Sequence, residues 1–234
     1  MAQSKLDLTS SCKVIIVIGS SGSGKTTVAQ EIAEQVKETG LSVAILSLDH
    51  YYLPKSRIDP TAEKNFDVPE ALDQALIRSH LNALEVGKTI PRPTYDMPSS
   101  DRVIDGEVQF PPKDVIIVEG IFAGECLSYL KKQTDKLTVY IQSSHVTENY
   151  TRKAERDSVE RQKSEAHIKA MKKNQIGCLF KYVAPHMNSA QITIENTWQP
   201  ACTVSDNIMP MIIGDKLDVL REFLTSTTIY SPYI

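Results

Sequence analysis

The run Gly19-Ser20-Ser21-Gly22-Ser23-Gly24-Lys25-Thr26-Thr27 carries the strongest chemical signal in this chain. A glycine, four residues and then Gly-Lys-Thr is the phosphate-binding loop pattern, and its residue types have physical reasons. Glycines let the backbone curl so that successive N–H groups point inward, and a following helix adds the positive end of its dipole. Lys25 would hold the β- and γ-phosphates of a nucleoside triphosphate as a point charge, and the Thr26 hydroxyl would ligate Mg²⁺. The plainer alternative is a Gly-Ser turn ahead of an ordinary helix. Against it stands the context, since the apolar run Val14–Ile18 precedes the loop and a helical pattern, Val28 to Val36, follows it. The expected ligand is ATP, with Mg²⁺ as cofactor.

Phosphoryl transfer also needs metal ligands, a base for the acceptor hydroxyl and cations to balance charge. Asp49 follows the apolar stretch Val43–Leu48. A carboxylate there can take a hydroxyl proton or contact Mg²⁺ through water, or be a turn or capping aspartate. Glu119 ends Val115–Val118 and precedes Gly120, as an acidic residue at a strand end near a metal would; a solvated strand-end glutamate is the alternative. Arg152, Lys153, Arg156, Arg161 and Lys163 cluster on a charged stretch where Arg152 and Arg156 share a helical face. They could reach phosphate as a lid or be surface charge. Asp67 and Tyr95, taken alone, read as loop residues.

These residues must be positioned by a framework. Continuously apolar Val14–Ile18, Val43–Leu48, Val115–Val118 and Leu137–Ile141 read as buried parallel strands. Helical patterns at Val28–Glu38, Glu70–Glu85, Cys126–Lys132 and from Thr147 onward alternate with them. The expectation is an α/β fold, a parallel sheet with helices on both faces, spanning residues 1–234 as one domain. Residues 1–12 read as a polar lead-in without the apolar core of a signal peptide. Residues 90–112, rich in Pro and Ser, read as a long ordered loop or small hairpin, and about 150–185 as a lid region. A net charge of −3 and pI near 6.0 argue against non-specific binding to nucleic acid or an acidic membrane. No apolar run reaches the ~20 residues that span a bilayer. The cysteines, Cys12, Cys126, Cys178 and Cys202, form no C-x-x-C pair, so reduced thiols in the cytoplasm are expected.

In order along the chain, GSSGSGKTT, SLDHYY, NFDVPEALD, PTYD with Arg102 downstream, IIVEGIF and ERD together resemble the uridine kinase (uridine/cytidine kinase) family of P-loop nucleoside kinases. SDNIMP at Ser205–Pro210 looks like that family's closing strand. The resemblance implies a P-loop sheet with a substrate-binding hairpin and a helical lid, and ATP- and Mg²⁺-dependent phosphorylation of a ribonucleoside 5′-hydroxyl. It implies Asp49 as base and indirect Mg²⁺ contact, Glu119 joining Thr26 around the metal, and Arg156 as lid arginine on the phosphates. Tyr52, Phe66 and Tyr95 would line the nucleoside pocket, and Asp67 would accept from ribose hydroxyls. Ser100, Arg152 and Lys153 fall among the expected substrate contacts, and a homodimer or homotetramer is implied. The chain departs from the family pattern at Val68, Met97, Ser100 and Lys153. The family commonly has His at Val68, Phe at Met97, a pyrimidine-reading His at Ser100 and Arg at Lys153.

Overall fold

The structure is a computed structural model that describes residues 12–57, 66–143, 146–159, 174–196 and 215–226. Its centre is β1 (Lys13–Gly19), flanked by β7 (Val115–Glu119) and β8 (Lys136–Ser143). Beyond these lie β2 (Val43–Ser47) and β9 (Ile192–Asn196), giving the order β2-β7-β1-β8-β9 with every pairing parallel. Alternation within the central strands explains why they read as unbroken apolar runs. Val14, Ile16, Ile18, Ile116 and Val118 face one side, and Ile15, Val17, Val115 and Ile117 face the other. Both faces are covered, so neither set can be polar.

Helix α1 (Lys25–Glu38) buries Val28, Ala29, Ile32, Ala33 and Val36, one helical stripe, against the second face. Helix α4 (Asp215–Thr225) adds Leu220 and Leu224 there. Helix α2 (Gln74–Glu85) covers the first face with Ile77, Leu81 and Leu84. Asp73 caps α2, its side chain accepting from Leu76 N at 3.2 Å. Helix α3 (Val146–Val159) follows β8. Among the described residues, no helix is long and apolar enough to cross a membrane.

The stretch expected as a loop or small hairpin is a hairpin interrupted midway. Strand β3 (Ile90–Arg92) pairs antiparallel with β6 (Val108–Phe110), and β4 (Tyr95–Asp96) with β5 (Asp101–Arg102). Two expectations need correction. Cys126–Lys132 is not an α-helix; the segment is a 3₁₀ turn, Ala123–Ser128, tightened by Glu125 N donating to Phe122 O and Tyr129 N to Cys126 O at 3.1 and 2.9 Å. Its backbone lies so close to the His186 ring that a Cβ at Gly124 would overlap it. The strand beside β8 is Ile192–Asn196, which sequence reading passed over, whereas Ser205–Pro210 falls outside the described residues. Residues Cys12, Cys126 and Cys178 are unpaired and buried, and burial pushes each thiol up to about 12, which keeps them neutral and inert.

Candidate active site

In an open parallel sheet, ligands bind beyond the carboxyl ends of the strands, where the strand order reverses. Strand β1 lies at that reversal and runs into the Gly19–Thr27 loop. Register then assembles the neighbours: Val17 pairs with Glu119 on β7, and Glu119 pairs with Ser47 on β2. Three strand ends thus deliver the phosphate loop, Glu119 and the turn holding Asp49 to one edge.

The loop curls as its glycines require. Gly22 and Gly24 have φ of 79° and 93°, and Ser23 N donates to Ser20 O at 3.1 Å. Gly24 caps α1 without a side-chain acceptor, and the first turn of α1 holds no acidic residue. Its positive dipole end is therefore left for an anion. Lys25 Nζ folds back to donate to the Ser20 carbonyl at 2.8 Å. Ser23 is fully buried, and its hydroxyl lacks a hydrogen-bond partner among the described residues.

Two asparagines that no motif flagged brace this loop. Asn196, at the end of β9, donates through Nδ2 to Ser23 O at 2.9 Å, where a Cβ on Gly24 would intrude. Asn149, on α3, donates to Ser20 Oγ at 2.6 Å, and its backbone carbonyl occupies the space a Gly22 Cβ would need. Asn149 Oδ1 accepts from Ser143 Oγ at 2.5 Å and from Arg152 Nη2 at 3.1 Å. Arg152 is thereby directed at the end of β8 beside the loop. Asn196 could have been flagged only by reading ITIEN as an alternating strand. Nothing in the sequence marks Asn149.

Next to the loop, Thr26 Oγ1 donates to Glu119 Oε2 at 3.4 Å. Glu119 is 4% exposed. Burial foremost, and then the charge of Asp49, push its carboxyl above the usual range, against the opposing pull of Lys25 and of hydrogen bonds from Ser47 and Thr26. Asp49 is held in the 3₁₀ turn Leu48–Tyr51 opened by Ser47, whose Oγ accepts from Asp49 N at 3.4 Å. A hydroxyl and two carboxylates at a phosphate loop form an oxygen-only donor set. That fits Mg²⁺, which binds through one or two carboxylates plus phosphate oxygens and needs no all-protein cage. Accordingly, the described residues contain no three-member His/Cys/Asp/Glu cluster.

Beyond Asp49 lies a second, differently made group of side chains. The rings of Tyr52 and Phe66 meet edge-on at 5.9 Å, and those of Tyr52 and Tyr95 are tilted at 45° with centroids 5.4 Å apart. Asp67, 4% exposed, sits 3.8 Å from Lys153 Nζ on α3. Burial raises the Asp67 carboxyl, the Lys153 ammonium opposes that, and the Asp157 charge adds to it. Asn149, Lys153 and Asp157 are four residues apart and all buried, so α3 turns a polar face toward the site. Sequence spacing had singled out Arg152 and Arg156 as the shared face. Arg156 lies on α3, and its side chain, like Arg161 and Lys163, is outside the described residues. At the hairpin tip Ser100 has φ 54°, and its Oγ donates to Met97 O at 3.4 Å.

Comparison with known proteins agrees with this fold. Residues 14–201 match the model of the phosphoribulokinase/uridine kinase family. The chain is 46% identical over 114 residues to a uridine kinase of Staphylococcus aureus (strain JH9), covering 48% of this chain and 54% of that protein. It thus spans about half the length of the curated relatives it matches. A structure described as a possible uridine kinase from Bacillus stearothermophilus aligns with TM-score 0.55 and 18% identity, over 78% of this chain and 88% of the other. A D-glycerate 3-kinase from Cryptococcus neoformans aligns with TM-score 0.57 and 16% identity, over 80% and 86%. The structural likenesses speak for the fold. The family match, joined to a phosphate loop, Thr26, Glu119 and Asp49 at one sheet edge, establishes that this chain belongs to the phosphoribulokinase/uridine kinase family.

Proposed function

We propose that this chain is an ATP- and Mg²⁺-dependent kinase that phosphorylates the 5′-hydroxyl of a ribonucleoside, uridine or cytidine first. The observation that carries the reading is Glu119, buried between the Thr26 hydroxyl and the charge of Asp49. Such a group is costly even with Lys25 nearby, and a bound cation would offset that cost. Thr26 and Glu119 would hold Mg²⁺, with Asp49 contacting it indirectly; when bound, the ion neutralises charge on the phosphate oxygens. The Gly19–Thr27 amides and Lys25 would cradle the triphosphate. Asp49 would accept the acceptor hydroxyl's proton. Asp67, flanked by Lys153, would accept from ribose hydroxyls, and an acceptor lacking them would forgo those hydrogen bonds. Tyr52, Phe66 and Tyr95 would enclose the base, Ser100 would face it from the hairpin, and Arg152 and Arg156 would supply cations. Phosphoryl transfer is mainly positioning and electrostatics, so this division of labour is sufficient.

A second reading keeps the chemistry and changes the acceptor to another ribosyl compound or a phosphorylated sugar. It is favoured by Ser100, whose short hydroxyl donates to the Met97 carbonyl at 3.4 Å. ATP consumption measured across a panel of nucleosides, ribosyl compounds and sugar phosphates separates the two. Turnover of uridine or cytidine above all others is expected. Strong turnover of a non-pyrimidine with none of uridine would establish the second reading, and tight Mg·ATP binding without any turnover would reduce the chain to a nucleotide-binding regulator.

A further inference from the structure

The aromatic group is made from parts that share no sheet. Tyr52 follows the turn after β2, whereas Tyr95 stands on the hairpin, whose ladders do not join the central sheet. Arg102 bridges them. It lies directly across the β4–β5 ladder from Tyr95. Its guanidinium then leaves the hairpin: Nε donates to the Tyr52 carbonyl at 2.8 Å, Nη2 donates to the Tyr51 carbonyl at 3.1 Å, and Nη1 stands 3.4 Å from Asp73 Oδ2. Asp73 is the α2 cap, and its own N–H donates to the same Tyr51 carbonyl at 2.9 Å. One residue away, Asp101 Oδ1 accepts from Lys55 N at 2.9 Å. The hairpin is thus stapled to the segment after β2 at two adjacent positions, and the Arg102 side chain is only 18% exposed.

We propose that Arg102 is a positioning residue of the acceptor site, a three-way clamp that fixes the Tyr95 hairpin against the Asp49–Tyr52 turn and the start of α2. The inference rests on the kinase reading for its kinetic consequences and on geometry alone for the clamp. A planar fork with several fixed donors can reach three acceptors on two segments, and an ammonium on a flexible stem cannot. Arg102 touches no reacting atom in this role. Its effect is to hold the acceptor within the narrow range of geometries from which transfer occurs, where a misplacement near 1 Å costs about 10²-fold.

The test compares Arg102→Lys and Arg102→Ala with the wild-type chain. Acceptor KM and kcat, the Kd of a non-hydrolysable ATP analogue, and hydrogen exchange across residues 48–53 and 90–110 are measured. Both variants are expected to lose about 10²-fold in kcat/KM for the acceptor, with analogue Kd within about two-fold of wild type and faster exchange confined to those two segments. Kinetic constants left unchanged, Lys restoring wild-type behaviour, or analogue affinity falling in parallel would each overturn the clamp. If the wild-type chain turns over no acceptor, the kinase reading falls by itself, and local exchange together with analogue binding still decides for or against the clamp.

Discussion

The proposed donor and acceptor halves of the site are built on opposite plans. The donor half is contiguous: Gly19 to Thr27 hold the loop, its donors are largely backbone amides, and its walls are the ends of neighbouring strands of the central sheet. The acceptor half takes Asp49 and Tyr52 from one turn, Phe66 and Asp67 from another segment, Tyr95 from a detached hairpin and Lys153 from α3. Side chains hold these together: Arg102 at the hairpin and Lys153 on the helix. The donor half is rigid because its geometry is backbone on a packed sheet. The acceptor half depends on a few polar contacts, so under the proposed function a change of acceptor preference would leave nucleotide binding undisturbed.

That contrast can be broken at its junction. Asp49 belongs to both halves, and Asp49→Asn is expected to lower kcat at least ~10²-fold, in line with general-base contributions, while ATP-analogue affinity stays near wild type. Steady-state kinetics alongside calorimetric titration measure both, and unimpaired turnover would remove Asp49 from the base role. A smaller effect probes the rigidity of the donor loop. Gly22→Ala puts a Cβ into the Asn149 carbonyl at a φ of 79°, whereas Gly87→Ala has a similar φ of 72° with nothing within 4 Å. Each carries the left-handed backbone cost of roughly 1–2 kcal/mol. Thermal unfolding should show the larger loss at Gly22, with ATP affinity reduced only there. Equal losses would mean that α3 does not press on the loop.

The smallest effect concerns the scaffold behind the acceptor turn. Tyr51 Oη and His80 Nδ1 are hydrogen-bonded at 2.9 Å, with the rings edge-on, and His80 is 5% exposed. Burial lowers the His80 pKa below its ordinary 6.5, aided by Arg102 and opposed by Glu107 and Asp73. A depressed folded-state value means that the unfolded chain binds the proton more readily. The contribution is therefore fully present above 6.5 and lost as pH falls through 6.5 toward the folded value. Melting temperatures from pH 7 to 5 should fall more steeply for wild type than for His80→Gln. Parallel slopes would mean that His80 does not hold this turn.

Legibility followed the same division. The four sequence-expected strands all occur as strands, within a residue or two at their ends, because a strand buried on both faces must be apolar throughout. Lys25 and Thr26 were readable from the glycine spacing of the loop, and Asp49 and Glu119 because each stands at or just beyond a strand end, where position alone implies proximity. The roles of Tyr52, Phe66, Asp67 and Tyr95 entered only through family resemblance; the structure brings the three aromatic rings together and sets Asp67 against Lys153. Asn149 and Asn196 were missed, since an asparagine that braces a loop has no periodicity to reveal it. Arg102 was noticed as a motif member without any role. The charged stretch after Thr147 does form a helix, yet its buried face runs through 149, 153 and 157. Charge density identifies a polar helix and does not say which polar side meets a partner.

By itself the sequence determined the parallel α/β architecture and the existence and place of a triphosphate-type loop, because both depend on local patterns: unbroken apolar runs, and glycines at fixed spacing before a helix. Only the tertiary structure decided which strands are neighbours and which polar face α3 turns inward. It also decided how a detached hairpin is clamped to the Asp49–Tyr52 turn. Those outcomes come from contacts between residues distant in the chain, such as Asn149 with Ser20 and Lys153 with Asp67, whose partners are chosen by packing and not by sequence neighbours.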